Sequence, residues 1–193
     1  GHNTVLVGGK GQVPGRPGAL KGPFEGERFS ALVGVADDAY EVKTPRARRH
    51  VVFVDKSYYV LLDEIETAEP APVELRLHSY GTIAPRAEGG WTVSESKAGI
   101  DIAPALGEGA LAGAVETASG WTKPVRVLRL RSAVDGRQFL RATVLIPSTA
   151  TQMRGVVASQ RVETNLLRVD VGRDRLTWRC GADGCEFRGV GGR

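Results

Sequence analysis

The sequence predicts an all-β fold, a single antiparallel β-sandwich built from two large sheets. Short apolar runs alternate with turn residues, and the 193-residue chain contains 25 glycines and 10 prolines. No apolar-periodic segment is long enough to indicate a helix. A chain of this length buries roughly 70% of its unfolded surface, which suits one sandwich domain over residues 1–193.

The strands are predicted, in order, from runs rich in β-branched and aromatic residues. The first covers residues 2–7, a Gly- and Pro-rich loop follows over residues 13–26, and the next strand covers residues 28–35. After the central hairpin, further strands are predicted at residues 91–93, 99–103, 112–117, 125–130, 139–147, 165–171 and 174–178. Glycine-rich turns separate neighbouring runs, as in a sandwich meander.

The strongest hairpin signal lies between residues 46 and 66. Two apolar and aromatic runs flank the short turn Asp55-Lys56-Ser57. A third run, residues 73–80, follows a Pro-containing break, and its apolar and polar residues alternate. We therefore expect three successive antiparallel strands in the middle of one sheet. His78 falls on the polar face of the third strand, where it can meet solvent, substrate or metal.

The net charge of +4 is compatible with an acidic partner such as a uronate-containing polysaccharide or a nucleic acid. The basic residues are scattered, however, and no basic patch interleaved with aromatic residues is present. We predict no nucleic-acid partner. We also predict no membrane span, because no apolar run approaches the roughly 18 to 20 residues that a span needs.

The two cysteines, Cys180 and Cys185, are separated by four residues of a Gly-containing turn. A disulfide across this turn is sterically plausible and suits an exported protein. A metal site would need more Cys or His residues nearby. The spacing therefore predicts a Cys180–Cys185 disulfide.

The chain has only three histidines, and two of them lie on or beside predicted strands among polar residues. These are His2 and His78, with the acid pair Asp37-Asp38 between them in sequence. Two imidazoles and one carboxylate can fill three of the four positions of a zinc site and leave the fourth for water or a ligand. The set has no fixed spacing, so a structural role for these residues stays open.

The remaining polar residues of the central hairpin are expected to be structural. His50 begins a strand beside two arginines, which indicates a surface histidine or one with satisfied hydrogen bonds. Asp63, Glu64 and Glu66 are expected at a strand end. Without a partner carboxylate across a cleft, they are expected to form a solvated face.

Six short segments carry a family resemblance. They are residues 2–7 (HNTVLV), 9–12 (GKGQ), 36–40 (ADDAY), 48–55 (RRHVVFVD), 59–64 (YVLLDE) and 77–78 (LH). On these motifs the chain resembles the heparinase II/III-like family of bacterial polysaccharide lyases, nearest to the oligoalginate and heparin-type lyases. That family pairs an N-terminal α/α toroid with a C-terminal β-sandwich. The resemblance therefore implies that this chain is the C-terminal piece of a longer protein whose toroid is missing.

The resemblance also implies a zinc site. It assigns the ligands to His2, to Asp37 or Asp38, and to His78. The choice between the two acids stays open, because the loop after residue 12 blurs the correspondence. The zinc is expected to be structural and to lie beside the cleft.

The activity implied by the resemblance is β-elimination on a uronate-containing glycan, in which the C5 proton is removed and the bond at C4 breaks. This step needs a base, an acid and donors that neutralise the carboxylate. His2 is the candidate catalytic residue here, a role that competes with metal binding. Asn3, Arg49 and Tyr80 are the candidate substrate-binding residues at the cleft.

The family places most catalytic groups on the toroid, so the isolated chain is expected to be inactive. Its partners would be the uronate-containing polysaccharide and its own toroid, in the periplasm or outside a bacterial cell. Two alternatives remain, a non-catalytic carbohydrate-binding or assembly module and a purely structural β domain.

Overall fold

The computed structural model describes residues 3–106, 111–119, 123–132, 135–149, 156 and 158–192. Within these ranges the chain forms strands and no helix, so the described part contains no helix that could cross a membrane. In chain order the strands are β1 (Val5–Val7), β2 (Ala19–Gly26), β3 (Phe29–Val35), β4 (Arg46–Val54), β5 (Tyr58–Ala71), β6 (Val73–Ser79), β7 (Thr82–Pro85), β8 (Trp91–Glu95), β9 (Ala98–Pro104), β10 (Leu111–Ala118), β11 (Val125–Ser132), β12 (Gly136–Pro147), β13 (Ala158–Glu163), β14 (Leu166–Val171), β15 (Asp174–Gly181) and β16 (Gly184–Gly192).

The strands form three antiparallel sheets. Sheet A has the order β1-β6-β11-β10, sheet B the order β2-β3-β4-β5-β12-β9-β8-β7, and sheet C the order β13-β14-β15-β16. One apolar cluster joins sheet B to sheet A, and a second joins sheet B to sheet C. Sheet B therefore lies between the other two. The predicted all-β antiparallel sandwich is confirmed, with a third layer added to the expected two sheets.

Strand β5 is buried on both faces, because successive strand residues point to opposite sides of a sheet. Val60 and Leu62 pack towards sheet C, and Ile65 packs towards sheet A. The two acids between them follow the same alternation, and Asp63 is 2% exposed and Glu64 6% exposed. The expectation that Asp63 and Glu64 form a solvated face is therefore wrong, since each meets a covering sheet instead of solvent.

The predicted central hairpin is confirmed. Strands β4 and β5 pair in register across the turn, with Val54 opposite Tyr58. Asp55 and Lys56 adopt positive φ angles of 46° and 52°. Three residues, Asp55 to Ser57, thus form the loop, and the N–H of Ser57 donates to the carbonyl oxygen of Val54 over 2.8 Å.

The third strand of the expected trio lies in a different sheet. Strand β6 pairs with β1 and β11 in sheet A, whereas β5 pairs with β4 and β12 in sheet B. The chain changes sheet at Pro72, which has no N–H group to donate to a neighbouring strand. The alternation itself is confirmed, because the apolar positions Val73, Leu75 and Leu77 are buried.

The second half of the expected loop over residues 13–26 is a strand. Strand β2 pairs with β3 at the edge of sheet B, with a bulge between Lys21 and Phe24. Every residue of β2 is exposed. A strand that buries neither face carries no apolar alternation, so its sequence does not differ from that of a loop.

His50 is deeply buried on the face of β4 that meets sheet C. It is 2% exposed, and neither ring nitrogen has a hydrogen-bond partner among the described residues. Its ring lies edge-on to Trp178, with 6.5 Å between ring centroids. His50 is therefore not a surface residue but a buried structural one, with Oε2 of Glu64 lying 3.6 Å from its Nε2.

The hairpin β15–β16 fastens sheet C to sheet B. Cys180 and Cys185, the pair singled out in the sequence, face each other in register and are joined by a disulfide. Arg46 donates to the carbonyl oxygen of Ala182 in the hairpin turn. The N–H of Cys185 donates to the Glu64 carboxylate over 3.1 Å. The buried acid on β5 therefore has a structural partner in sheet C.

Candidate functional site

A cleft of about 680 Å³ opens on the face of sheet B that meets sheet A. It is lined by β4 and β5, by the end of β3, by the loop of residues 12–18 and by the start of β1. The described lining residues include three arginines, Arg16, Arg48 and Arg49, and one acid, Asp63. Arg49 pairs with Asp63 and Arg48 pairs with Asp37, so Arg16 is the arginine of this lining that has no carboxylate partner among the described residues, and its charge suits an anionic ligand.

Arg49 and Asp63 form a bidentate ion pair in this cleft. They are direct partners in the register of β4 and β5, and Arg49 donates from Nε to Oδ1 over 2.6 Å and from Nη2 to Oδ2 over 3.0 Å. The Asp63 side chain is only 3% exposed, whereas that of Arg49 is 22% exposed. Burial alone would lower the pKa of Arg49, but the carboxylate of Asp63 outweighs it and raises that pKa. The guanidinium therefore stays charged at the cleft surface.

Tyr40 lies beside this pair and is 3% exposed. Its hydroxyl donates to the carbonyl oxygen of Val5 over 3.2 Å, which ties the cleft to β1. Burial, and then the charge of Asp63, raise the pKa of Tyr40 above its ordinary value. Near neutral pH the phenol is therefore protonated, so it can donate a hydrogen bond but cannot serve as a ready base.

The other two guanidiniums are held in place by the chain around them. Arg16 donates to the carbonyl oxygens of Asp38 and Tyr40. Arg48 donates from Nη2 to Oδ2 of Asp37 over 3.0 Å, and from Nη1 to the carbonyl oxygen of Asp183. These contacts order the side chains before any ligand arrives, which reduces the entropy lost on binding.

Asn3 joins the candidate residues Arg49 and His78. Its carbonyl oxygen accepts from Arg49 Nη1 over 3.1 Å, and its side-chain oxygen accepts from the backbone N–H of His78 over 2.7 Å. Three of the candidate site residues thus meet at one edge of the cleft. Substrate binding by Asn3 and Arg49 stays a prediction, with Arg49 the one of these two that lines the cleft.

The zinc set is only partly described. His2 lies outside the described residues, so neither its metal role nor its catalytic role is tested. Asp37 accepts from the N–H of Ala47 over 2.8 Å and from Arg48, so both of its oxygens have protein partners. Among the described residues, no three His, Cys, Asp or Glu side chains lie close enough together to hold a metal ion. A site built on Asp37 or Asp38 and His78 therefore needs His2.

Tyr80 stands apart from the other candidates. Its side chain is exposed, and the ammonium of Lys123 lies over its ring, 4.8 Å from the centroid. Tyr80 is not among the described residues that line the cleft. Substrate binding by Tyr80 stays a prediction.

Four cleft residues described above were not among the candidates predicted from the sequence, namely Arg16, Tyr40, Arg48 and Asp63. Asp63 could have been found, because the hairpin turn sets the register. Val54 pairs with Tyr58, so counting five residues away from the turn on each strand places Arg49 opposite Asp63. Arg16 lies in a loop of glycines and prolines, and no local pattern indicates where that loop folds.

A family model and several solved structures match the chain. The model described as Heparinase II/III-like, C-terminal matches residues 1–165. A comparison with curated protein sequences found no significant match.

The similar structures include two of heparinase III and one of a heparan sulfate lyase. Heparinase III, the BT4657 gene product, has a TM-score of 0.70 and 20% identity, over 91% of this chain and 29% of that one. Another crystal structure of heparinase III has a TM-score of 0.68 and 18% identity over the same shares. Heparan sulfate lyase HepC from Pedobacter heparinus has a TM-score of 0.67 and 10% identity, over 97% of this chain and 30% of that one. This chain spans less than a third of the length of each of these proteins. At sequence identities of 20% or less, the similarity shows a common fold and no more.

Proposed function

Because the chain belongs to the heparinase II/III-like C-terminal family, we propose that it is the C-terminal β-sandwich of a lyase that cleaves uronate-containing glycans. In this proposal the cleft between β4, β5 and the loop of residues 12–18 binds the sugar carboxylates. The observation that carries the proposal is the guanidinium of Arg16, which lines the cleft and has no carboxylate partner among the described residues.

The proposed chemistry is β-elimination, and the sandwich supplies its electrostatic part. A guanidinium that neutralises the uronate carboxylate makes the C5 proton more acidic and stabilises the charge that develops when it leaves. Arg49 suits this role, because Asp63 holds it charged and oriented while part of its side chain reaches the cleft. The protonated phenol of Tyr40 holds β1 in place through Val5. The base and the acid would come from His2 and from the N-terminal toroid.

The disulfide supports an exported protein. Disulfides persist in the periplasm and outside the cell, and they are rare where thiols are kept reduced. The Cys180–Cys185 pair is therefore consistent with the proposed periplasmic or secreted location in a bacterium.

Binding to a uronate tetrasaccharide tests the proposed cleft. Arg16→Ala removes one of the three charges while leaving the buried Arg49–Asp63 pair intact. Since a charge-assisted hydrogen bond contributes about 1.5–3 kcal/mol, affinity measured by isothermal titration calorimetry should fall about 10-fold or more. A neutral tetrasaccharide should bind more weakly than the uronate.

Arg137→Ala is the matched control for this measurement. Arg137 lies on β12, and its exposed side chain pairs with Glu69 away from the cleft lining. It should bind the uronate tetrasaccharide as the parent does. The proposed binding of uronate in this cleft would be contradicted if the parent and Arg16→Ala bound the uronate tetrasaccharide equally well. It would also be contradicted if the parent bound neutral and uronate tetrasaccharides equally well.

We also propose that a zinc ion is held by His2, His78 and one of Asp37 and Asp38. Elemental analysis of protein purified without a metal-affinity step should find about one zinc per chain. His78→Ala should lose it, and comparing Asp37→Asn with Asp38→Asn should identify the acid. If the parent protein contains no zinc, the proposed zinc site is wrong, whereas the proposal for the carboxylate-binding cleft does not depend on this result.

A further inference from the structure

A second cavity, of about 590 Å³, lies between sheet B and the disulfide hairpin of sheet C. Strands β2, β3 and β4 line one side, and β15, β16 and their turn line the other. It occupies the opposite face of sheet B from the cleft described above, and Arg48 is the one described residue that lines both. Its volume lies within the range of roughly 300 to 1,000 Å³ that is usual for small-molecule sites.

The walls of this cavity are aromatic and aliphatic. Phe29 and Phe187 meet edge to face, with 4.9 Å between ring centroids, and Val33 and Val52 extend the apolar surface along β3 and β4. Phe24, on the edge strand β2, is 50% exposed and also lines the cavity. An exposed aromatic ring beside two partly buried ones indicates that the apolar lining is accessible from solvent.

The imidazole of His50 lines the same cavity and lacks hydrogen bonds. It is 2% exposed, and neither ring nitrogen has a hydrogen-bond partner among the described residues. Oε2 of Glu64 lies 3.6 Å from Nε2, too far for a normal hydrogen bond, but this contact helps to hold the pKa of Glu64 low, so Nδ1 is the ring nitrogen that has no partner among the described residues. Buried polar groups in proteins are almost always satisfied. A ligand atom in the cavity would supply the partner that the chain does not.

The charges around the cavity favour an anion. Lys21 and Arg179 both line it, and neither has an ion-pair partner among the described residues. Of the two acids in the lining, Glu186 is already paired with Arg188 over 2.7 Å. Two cations are therefore left against the carboxylate of Asp183, so one negative group on a ligand would balance the site.

We propose that this cavity binds a small aromatic molecule that carries one carboxylate. The aromatic body lies among Phe24, Phe29 and Phe187, and the carboxylate lies between Lys21 and Arg179. A polar atom of the ligand bonds to His50. This site does not depend on the uronate-binding cleft, because the residues that define it face the other side of sheet B.

2-Naphthoate is a suitable probe, with 2-naphthalenemethanol as its neutral counterpart of nearly the same shape. Isothermal titration calorimetry should show tighter binding of the naphthoate. The double variant Lys21→Met, Arg179→Met should weaken naphthoate about 10-fold or more, because it removes both charge-assisted contacts, while changing the affinity for the alcohol little. Both side chains lie on the surface, so the variant is expected to fold.

Two controls locate the binding. Arg16→Ala removes a charge from the other cleft and should leave the naphthoate affinity unchanged. In spectra of protein with isotope-labelled histidine, saturating naphthoate should shift the imidazole signals of His50 and leave those of His78 in place. These readouts separate failure of this site from failure of the uronate-binding cleft.

Three results would overturn the proposal. The first is no binding of naphthoate to the parent protein. The second is equal loss of naphthoate and alcohol binding in the double variant, which would remove the role of the two cations. The third is saturation by naphthoate without a shift of the His50 signals, which would place the ligand elsewhere.

Discussion

Asp63→Ala is expected to lower the free energy of unfolding by about 3–5 kcal/mol, the usual cost of removing one partner of a buried ion pair. The carboxylate is 3% exposed and accepts two hydrogen bonds from Arg49. Its removal leaves the guanidinium beside the buried ring of Tyr40 with no compensating charge. Urea unfolding of the parent and the variant measures the difference.

Glu69→Ala is the matched control for Asp63→Ala. It removes an acid from the same strand, but the Glu69 side chain is 80% exposed and pairs with Arg137 on the surface. Exposed pairs of this kind contribute up to about 1 kcal/mol. The double variant Arg49→Ala, Asp63→Ala should cost less than the sum of the two single variants, because no charge is left unpaired. Similar losses in Asp63→Ala and Glu69→Ala would contradict the role given to the buried pair.

Gly184→Ala is expected to cost at least about 2 kcal/mol, through backbone strain and through the ion pairs that it displaces. Gly184 has a φ of +104°, a conformation that side chains rarely allow. A Cβ atom there would lie 2.6 Å from Nη1 of Arg48 and 2.8 Å from Oε1 of Glu64. Arg48 and Glu64 both bond to the disulfide hairpin, Arg48 through the carbonyl oxygen of Asp183 and Glu64 through the N–H of Cys185. Displacing these two side chains therefore weakens the attachment of sheet C to sheet B.

The buried carboxylate of Glu64 adds to the free energy needed to move the disulfide hairpin away from sheet B. Burial alone would raise the pKa of Glu64, but His50, the N–H of Cys185 and the charge of Arg46 outweigh it and hold that pKa below its ordinary value. The carboxylate is therefore ionised at neutral pH. Moving the hairpin away would leave that charge with fewer partners in a buried position.

Gly181→Ala is the matched control on the same hairpin. A Cβ atom at Gly181 would meet nothing within 4 Å, and its φ lies outside the strained range. Its effect should stay within about 0.5 kcal/mol of the parent. Urea unfolding of both variants measures the contrast, and equal stability of the two would show that the Gly184 contacts do not hold the hairpin.

The cleft and the second cavity lie on opposite faces of the same two strands. On β4 and β5, Arg49 and Asp63 point towards sheet A, whereas His50 and Glu64 point towards sheet C. Successive residues of one strand therefore serve two different environments, as the two-residue period of a strand requires. A shift of the β4–β5 register by one residue would exchange these environments and destroy both sites.

Several features of the fold could be predicted because their causes are local. The hairpin turn at Asp55-Lys56-Ser57 depends on a few adjacent residues, and the alternation in β6 depends on one strand. The family motifs are likewise short stretches, and the family resemblance is confirmed by a match over residues 1–165. Once the turn is known, the pairing of Arg49 with Asp63 follows by counting.

The sequence by itself thus determined the all-β class, the central hairpin and the family. The tertiary structure alone decided that β6 crosses to sheet A after Pro72, that β2 forms an edge strand and that sheet C covers the second face of sheet B. It also decided that Asp63, Glu64 and His50 are buried. The physical reason is that burial depends on which distant segment packs over a strand, and a strand's own pattern does not say whether its polar face meets water or another sheet.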